Sequence, residues 1–171
     1  LSASTESSSS TKPETREFSK ETQAEFEAMA KRYAQLQAAL LPTLRLVERD
    51  FGCIDDGGMA LAAKLCGVSP AYVLGVVTFY THYKRPSDGK HVIEICRTLP
   101  CALRGADALA AHAEKTLGLH MGATSEDRQF TLKSVECLAA CDQAPCLQLD
   151  GDFRFRVSNG DFDELVDGLK K

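Results

Sequence analysis

Between Glu21 and Tyr80, apolar residues recur at helical intervals. Leu36, Leu40, Leu44, Val47 and Phe51 stand three or four positions apart, as expected for one buried helix face. Pro42 lies inside that run and predicts either a break or a first turn that starts near it. Asp55-Asp56-Gly57-Gly58 then separates this helix from a shorter one carrying Met59, Ala62, Ala63 and Cys66, with Gly67 as its stop. Ser69 before Pro70 reads as an N-cap followed by proline at the first helical position. Val73, Val76, Val77 and Tyr80 give the next helix its apolar stripe. Residues 18–83 are therefore expected to form a small helical bundle.

The pattern changes at Lys84-Arg85-Pro86-Ser87-Asp88-Gly89-Lys90, a charged, turn-rich connector. Beyond it, His91 to Cys96 has strand composition. Leu103, Ala106, Ala110, Ala113 and Leu117 mark a helix that stops at Gly118, and residues 130–136 read as a second strand. Leu147 and Leu149 alternate with polar residues, Asp150-Gly151 turns the chain, and Phe153, Phe155 and Val157 alternate again, which predicts a hairpin. Asp161 three residues before Glu164 resembles a capping box, and Phe162, Leu165, Val166 and Leu169 line a last helix. The order β-α-β-β-β-α fits a thioredoxin-like half-parallel sheet. The class is α+β or α/β, with a helical bundle over residues 18–83 ahead of a mixed domain over 84–171.

The length of 171 residues leaves room for one domain with an appendage or for two small ones. Residues 1–17 are rich in Ser and Thr and lack aromatics, so they are expected to be a disordered leader. That stretch carries Glu6, Glu14 and Glu17 with a single arginine, unlike an Arg-rich mitochondrial presequence. With a net charge of −4 and no basic block, nothing draws the chain to nucleic acid or anionic lipid. No apolar run approaches the roughly 20 residues that span a bilayer, so no direct membrane insertion is expected.

Seven cysteines are what alters this bland picture. An odd number suits a closed disulfide framework poorly, and five of them crowd between Cys96 and Cys146. Thiolates committed to metal in a reducing compartment fit better. Cys96 and Cys101 follow the first strand, with four residues between them. Cys137 and Cys141 follow the second, with three between. If these strands are adjacent and parallel, both loops emerge at one end of the sheet and four thiolates converge. Two bridged irons need two thiolates each, and such gaps let a loop curl around a cluster wider than one ion. A structural zinc site of four cysteines tolerates similar gaps and stays open on spacing alone. A dithiol redox pair would need Cys-x-x-Cys, which neither loop has. His82, His91, His112 and His120 lie in no Cys-x-His pattern, so a Rieske centre fails.

Cys96-Arg97-Thr98-Leu99-Pro100-Cys101 with Leu103 and Gly105, and Val135-Glu136-Cys137-Leu138-Ala139-Ala140-Cys141 followed by Ala144-Pro145, resemble the family of the thioredoxin-like [2Fe–2S] ferredoxin subunit of respiratory complex I, the NADH–quinone oxidoreductase. Leu40-Leu41-Pro42 with Leu44, Phe51-Gly52, and Gly75-Val76-Val77-Thr78-Phe79-Tyr80 match as well, so the resemblance spans about residues 30–170. It implies a single binuclear cluster on Cys96, Cys101, Cys137 and Cys141. It also implies a partner flavoprotein that carries FMN and oxidises NADH, other peripheral-arm subunits of complex I, and a place on the cytoplasmic side of a bacterial inner membrane. The equivalent small subunit of a NAD-linked hydrogenase or formate dehydrogenase keeps the same chemistry in another assembly. A zinc-stabilised interaction module without a redox role is a reading of another class. Ala139 departs from the family's usual glycine, residues 124–128 lack its usual Pro-Asp-Gly turn, and Cys146 replaces an aliphatic residue.

No Gly-rich phosphate loop, nucleophile–base pair or acid dyad is present, so any NADH oxidation belongs on a partner. Cys53, Cys66 and Cys146 read as core residues behaving as small hydrophobes. Thr98 can bond a cluster sulfur or simply stabilise its loop. Arg97 and Arg104 flank the first cysteine loop, where a positive charge would offset a cluster's negative one. The aromatic and aliphatic surface around Val73–Tyr83 is the expected grip on the flavoprotein.

Overall fold

The computed structural model describes residues 16–170. The chain divides into two compact units between Arg85 and Pro86.

The first unit is helical. Helix α1 (Lys20–Ala30) starts where the Ser19 hydroxyl accepts the Thr22 N–H at 3.1 Å. A 3₁₀ turn (Leu36–Ala39) leads into α2 (Leu40–Phe51), which puts Pro42 in the first turn, where an N–H has no intrahelical partner to lose. Asp55 caps α3 (Asp56–Cys66) by accepting the Gly58 N–H at 2.8 Å, and Gly67 in the left-handed region (φ 66°) closes it. Ser69 caps α4 (Pro70–Phe79), with Pro70 in its first turn. Leu40, Leu44, Val47, Ile54, Val73 and Val77 form the centre of the core. A Cβ on Gly58 would meet the Val47 side chain at 2.6 Å, so close packing of α3 on α2 requires glycine there.

Three expectations shift in this unit. Leu36 does not join the α2 stripe: it sits in the 3₁₀ turn and is half exposed, because the proline fixes where the α-helix begins. Of the expected leader, residues 1–15 lie outside the described residues. Arg16 is held by Asp55, with Nε 3.0 Å from the carboxylate and its guanidinium 4.6 Å above the Phe51 ring. Lys84, expected in the connector, belongs with the helices, since its N–H donates to Glu48 at 2.6 Å and its carbonyl accepts the Ile54 N–H at 2.8 Å.

The second unit is built on a four-stranded sheet. Its strands are β1 (His91–Cys96), β2 (Phe130–Val135), β3 (Cys146–Leu149) and β4 (Asp152–Phe155), in the order β2-β1-β3-β4. The β1–β2 pair is parallel, and the β1–β3 and β3–β4 pairs are antiparallel. Buried on five of its six residues, β1 is the central strand its composition predicts. A short helix α5 (Leu99–Leu103) precedes α6 (Ala106–Leu117), and α7 (Asn159–Leu169) ends the described chain. Ile93, Ile95, Leu109, Leu132, Leu147 and Phe162 make the core between sheet and helices. Asp150 (φ 53°) and Gly151 (φ 90°) give the β3–β4 hairpin its two left-handed residues. The Asp150 carboxylate also accepts the Val92 N–H at 2.8 Å, fixing the hairpin to the start of β1.

Three local readings change here. Leu103 ends α5 and is 77% exposed; Gly105, at φ 98°, breaks the chain before α6, so the expected single helix is two. The capping box lies one turn earlier than Asp161–Glu164. Ser158 is the N-cap and Asp161 the reciprocating acid, with the Ser158 N–H 2.9 Å from its carboxylate. Phe153 and Phe155 are exposed and stacked at 5.5 Å, whereas Val157, beyond β4, is buried; only the last of this alternating set enters the core.

Candidate metal centre

Parallel pairing decides where the cysteines go. Cys96 is the last residue of β1 and lies opposite Val135, the last residue of β2. Both strands therefore release their loops at the same end of the sheet. The Arg97 N–H donates to the Val135 carbonyl at 3.0 Å, which extends the ladder one residue into the first loop. Arg97 Nε reaches the Glu136 carboxylate at 3.0 Å and ties the two loops together across the surface. Cys101 follows in the first turn of α5, and residues 137–141 form the second loop.

Five thiols stand at this end, four of them on the two loops, in two settings. Cys96 and Cys101 are both buried, and their Sγ atoms lie within 4.8 Å of each other and of Cys146 Sγ. Cys101 and Cys146 are 3.7 Å apart. Cys137 and Cys141 are exposed and separated by 4.0 Å. Two thiolates on one tetrahedral metal, with bonds of about 2.3 Å, sit roughly 3.8 Å apart. The exposed pair is near that spacing at 4.0 Å, and the buried pair lies within 4.8 Å, so each loop offers two sulfurs to one metal ion.

Hydrogen bonds already point at these sulfurs. Thr98 stands at the N-cap of α5 but makes no capping bond; its hydroxyl lies 3.3 Å from Cys96 Sγ instead. The Ala139 N–H donates to Cys137 Sγ at 3.3 Å. Desolvation pushes the Cys96 thiol up, yet bonds from the Thr98 hydroxyl and the Leu138 and Thr98 N–H groups outweigh it, and its pKa falls below the ordinary thiol value. Burial raises Cys101, against the pull of the Cys146 N–H. Cys141 is raised chiefly by its hydrogen bond with Cys137, then by desolvation and by the charges of Cys137, Cys101 and Cys96. Burial, with Cys101 beside it, pushes Cys146 up to about 12. Thiolates crowded this way repel one another until a cation discharges them, so the donor set fits an iron–sulfur group.

The other sequence candidates separate clearly. Thr98 bonds a sulfur, as one of its two readings had it. Arg97 is engaged by Glu136, and Arg104 is exposed at the end of α5. Cys66 is buried against Thr43 at 3.4 Å and Cys53 is half-buried, both in the helical unit. His82 packs on Tyr83, with ring centroids 4.4 Å apart, and His112 bonds Asp163 at 2.7 Å. Cys146 is buried in a strand as expected, but the reading as a mere hydrophobe missed its sulfur neighbours. The signal was in the hairpin pattern: β3 runs antiparallel to β1 with Leu147 opposite Ile95, so one step further sets Cys146 beside Cys96. Ala139 adopts φ 59°, the left-handed conformation that suits glycine.

Comparison with known proteins agrees with this geometry. The family model for thioredoxin-like [2Fe–2S] ferredoxins matches residues 26–170. A NADH-quinone oxidoreductase subunit of Rhizobium meliloti is 33% identical over 146 residues, covering 85% of this chain and 87% of that protein. NADH-quinone oxidoreductase subunit 2 of Thermus thermophilus is 34% identical over 155 residues, covering 90% and 83%. Among solved structures, a NAD+-reducing [NiFe]-hydrogenase superposes with a TM-score of 0.65 at 18% identity, over 75% of this chain and 22% of that one. That last likeness speaks for the fold alone. Sequence and fold together make the chain a member of the thioredoxin-like [2Fe–2S] ferredoxin family.

Proposed function

We propose that this chain holds one [2Fe–2S] cluster on Cys96, Cys101, Cys137 and Cys141 and is the small electron-transfer subunit of an NADH:quinone oxidoreductase. The observation that carries the reading is that two loops, each with a close pair of sulfurs, leave the same end of parallel strands β1 and β2. Cys96 and Cys101 would hold one iron, and Cys137 and Cys141 the other. When bound, such a cluster supplies one-electron chemistry without a substrate pocket. The chain's own residues do the rest. Thr98, with the Leu138 and Ala139 N–H groups, stabilises negative charge on the sulfurs, and burial of the first pair keeps water from that side.

NADH oxidation belongs to a partner flavoprotein carrying FMN, because flavin converts two-electron to one-electron chemistry. Relatives bearing the name of NADH-quinone oxidoreductase subunits support membership of such a complex; its other peripheral-arm subunits, and a place at the cytoplasmic face of a bacterial inner membrane, belong to the same proposal. Among the described residues no single helix is long and apolar enough to cross a membrane. In the helical unit, α4 offers Phe79 at 76% exposure with the half-exposed Tyr72 seven residues before it on the same side of the helix, an aromatic surface suited to gripping the partner.

Protein matured with iron and sulfide should contain two irons and two labile sulfides per chain and give a rhombic EPR signal only when reduced. One zinc per chain without sulfide would overturn the reading in favour of the interaction module. A chain begun at Pro86 should still bind the cluster but lose most affinity for the flavoprotein in a pull-down. Undiminished capture by the shortened chain would refute the docking role of the helices.

A further inference from the structure

Cys146 is used by none of the chemistry above. It is the first residue of β3, 1% exposed, and its sulfur lies 3.7 Å from that of Cys101, within the range of a sulfur hydrogen bond.

Chemistry assigns the direction of the S–S contact. A cysteine that ligates iron does so as thiolate and has no proton to give. If Cys101 is a ligand, the one proton available between the two sulfurs belongs to Cys146. We propose that Cys146 is a positioning residue for the cluster: its thiol donates an S–H···S hydrogen bond to the Cys101 thiolate and makes the cluster easier to reduce. The proposal rests on the ligand reading given above.

The physical reason lies in charge. Reduction adds one negative charge, part of which falls on the ligand sulfurs, so a donor to a sulfur bonds the reduced state more strongly than the oxidised one. Hydrogen bonds to the sulfurs are among the features that set such potentials. The site is closed to solvent, so no water replaces the donor when it is removed. Thr98 on Cys96 plays the corresponding part from the other side, and each buried ligand then has its own side-chain donor.

The test uses the full chain loaded with its cluster, in three variants. Cys146→Ala removes the donor, Cys146→Val removes it while filling the space, and Cys146→Ser keeps a donor. All three should retain two irons and two sulfides. In the Ala and Val variants the reduced-to-oxidised ratio at a fixed poise should fall about three- to tenfold, which at 59 mV per decade is about 30–60 mV. Cys146→Ser should fall between these and the parent. In reduced protein, ENDOR in light and heavy water should show one strongly coupled exchangeable proton that the Ala and Val variants lack.

Intact clusters with unmoved potentials and unchanged exchangeable couplings would overturn this role and leave the ligand set standing. Iron lost from Cys146→Ala but kept in Cys101→Ala would overturn both, because Cys146 would then be the ligand.

Discussion

The two cysteine loops leave the same end of the sheet but are built differently. The first leaves β1, buries both sulfurs and turns at once into α5. The second leaves β2 exposed, kinks through a left-handed alanine and ends in a 3₁₀ turn (Cys141–Gln143). Buried sulfurs owe their character to donors the fold supplies, namely Thr98, Leu138 and Cys146. Exposed sulfurs are stabilised by water and by the Ala139 N–H. A cluster held between them, as proposed, would have one half insulated and one half presented outward, which suits a carrier that must both keep and hand over an electron. The exposed loop adjoins an open hollow where Leu138, Ala139, Ala140, Phe153 and Phe155 meet the polar Asp142 and Gln143.

The comparison is broken most directly at the ligands. Replacing Cys96, Cys101, Cys137 or Cys141 by alanine should abolish or grossly alter the cluster, seen in iron content and visible absorption, because each leaves an iron short of a thiolate. Equal losses on both loops would show that burial does not decide ligation. Next in size is reactivity. In cluster-free protein Cys137 and Cys141 should alkylate about tenfold or more faster than Cys96 and Cys101, read by mass spectrometry of the labelled peptides. Uniform labelling would mean that the first loop does not shield its sulfurs.

Smaller changes sharpen the picture. Thr98→Val removes a donor to Cys96 and should lower the reduction potential by about 40 mV, equivalent to roughly 1 kcal/mol. Ala139→Gly relieves a left-handed Cβ and should raise stability by somewhat under about 1 kcal/mol, seen as a higher melting temperature. The smallest effect belongs to Arg97→Ala. Its ion pair with Glu136 is exposed on both sides, so its loss should cost no more than about 0.5 kcal/mol and vanish in high salt.

Much of this was legible from residue order. Helical spacing found α2 through α4 because their caps, Asp55, Gly67 and Ser69-Pro70, are written locally. The cysteine pairs announced a metal site because four thiols after two strands have few other uses. What escaped depended on contacts distant in sequence or on backbone geometry. Leu103 has a helical neighbour pattern, yet a positive φ at Gly105 cuts the helix before it can count. Phe153 and Phe155 alternate like core residues, but β4 is an edge strand and they lie on its open side. The thiol of Cys146 looked like a core filler because its partner, Cys101, stands 45 residues away.

The register of β1 against β2 also acts as a gauge. Cys137 lies two residues beyond the end of the pair, so its place is fixed only when Val135 stands opposite Cys96. A slip of one residue would turn its side chain to the other face, and a slip of two would carry it about 6.6 Å along the strand. Four sulfurs can then no longer surround two irons. If those four sulfurs hold the cluster, maturation of the chain would be conditional on a correctly zipped sheet. With the proposed ligand set, a misaligned copy would remain colourless, and brown colour would report that β2 has docked in register.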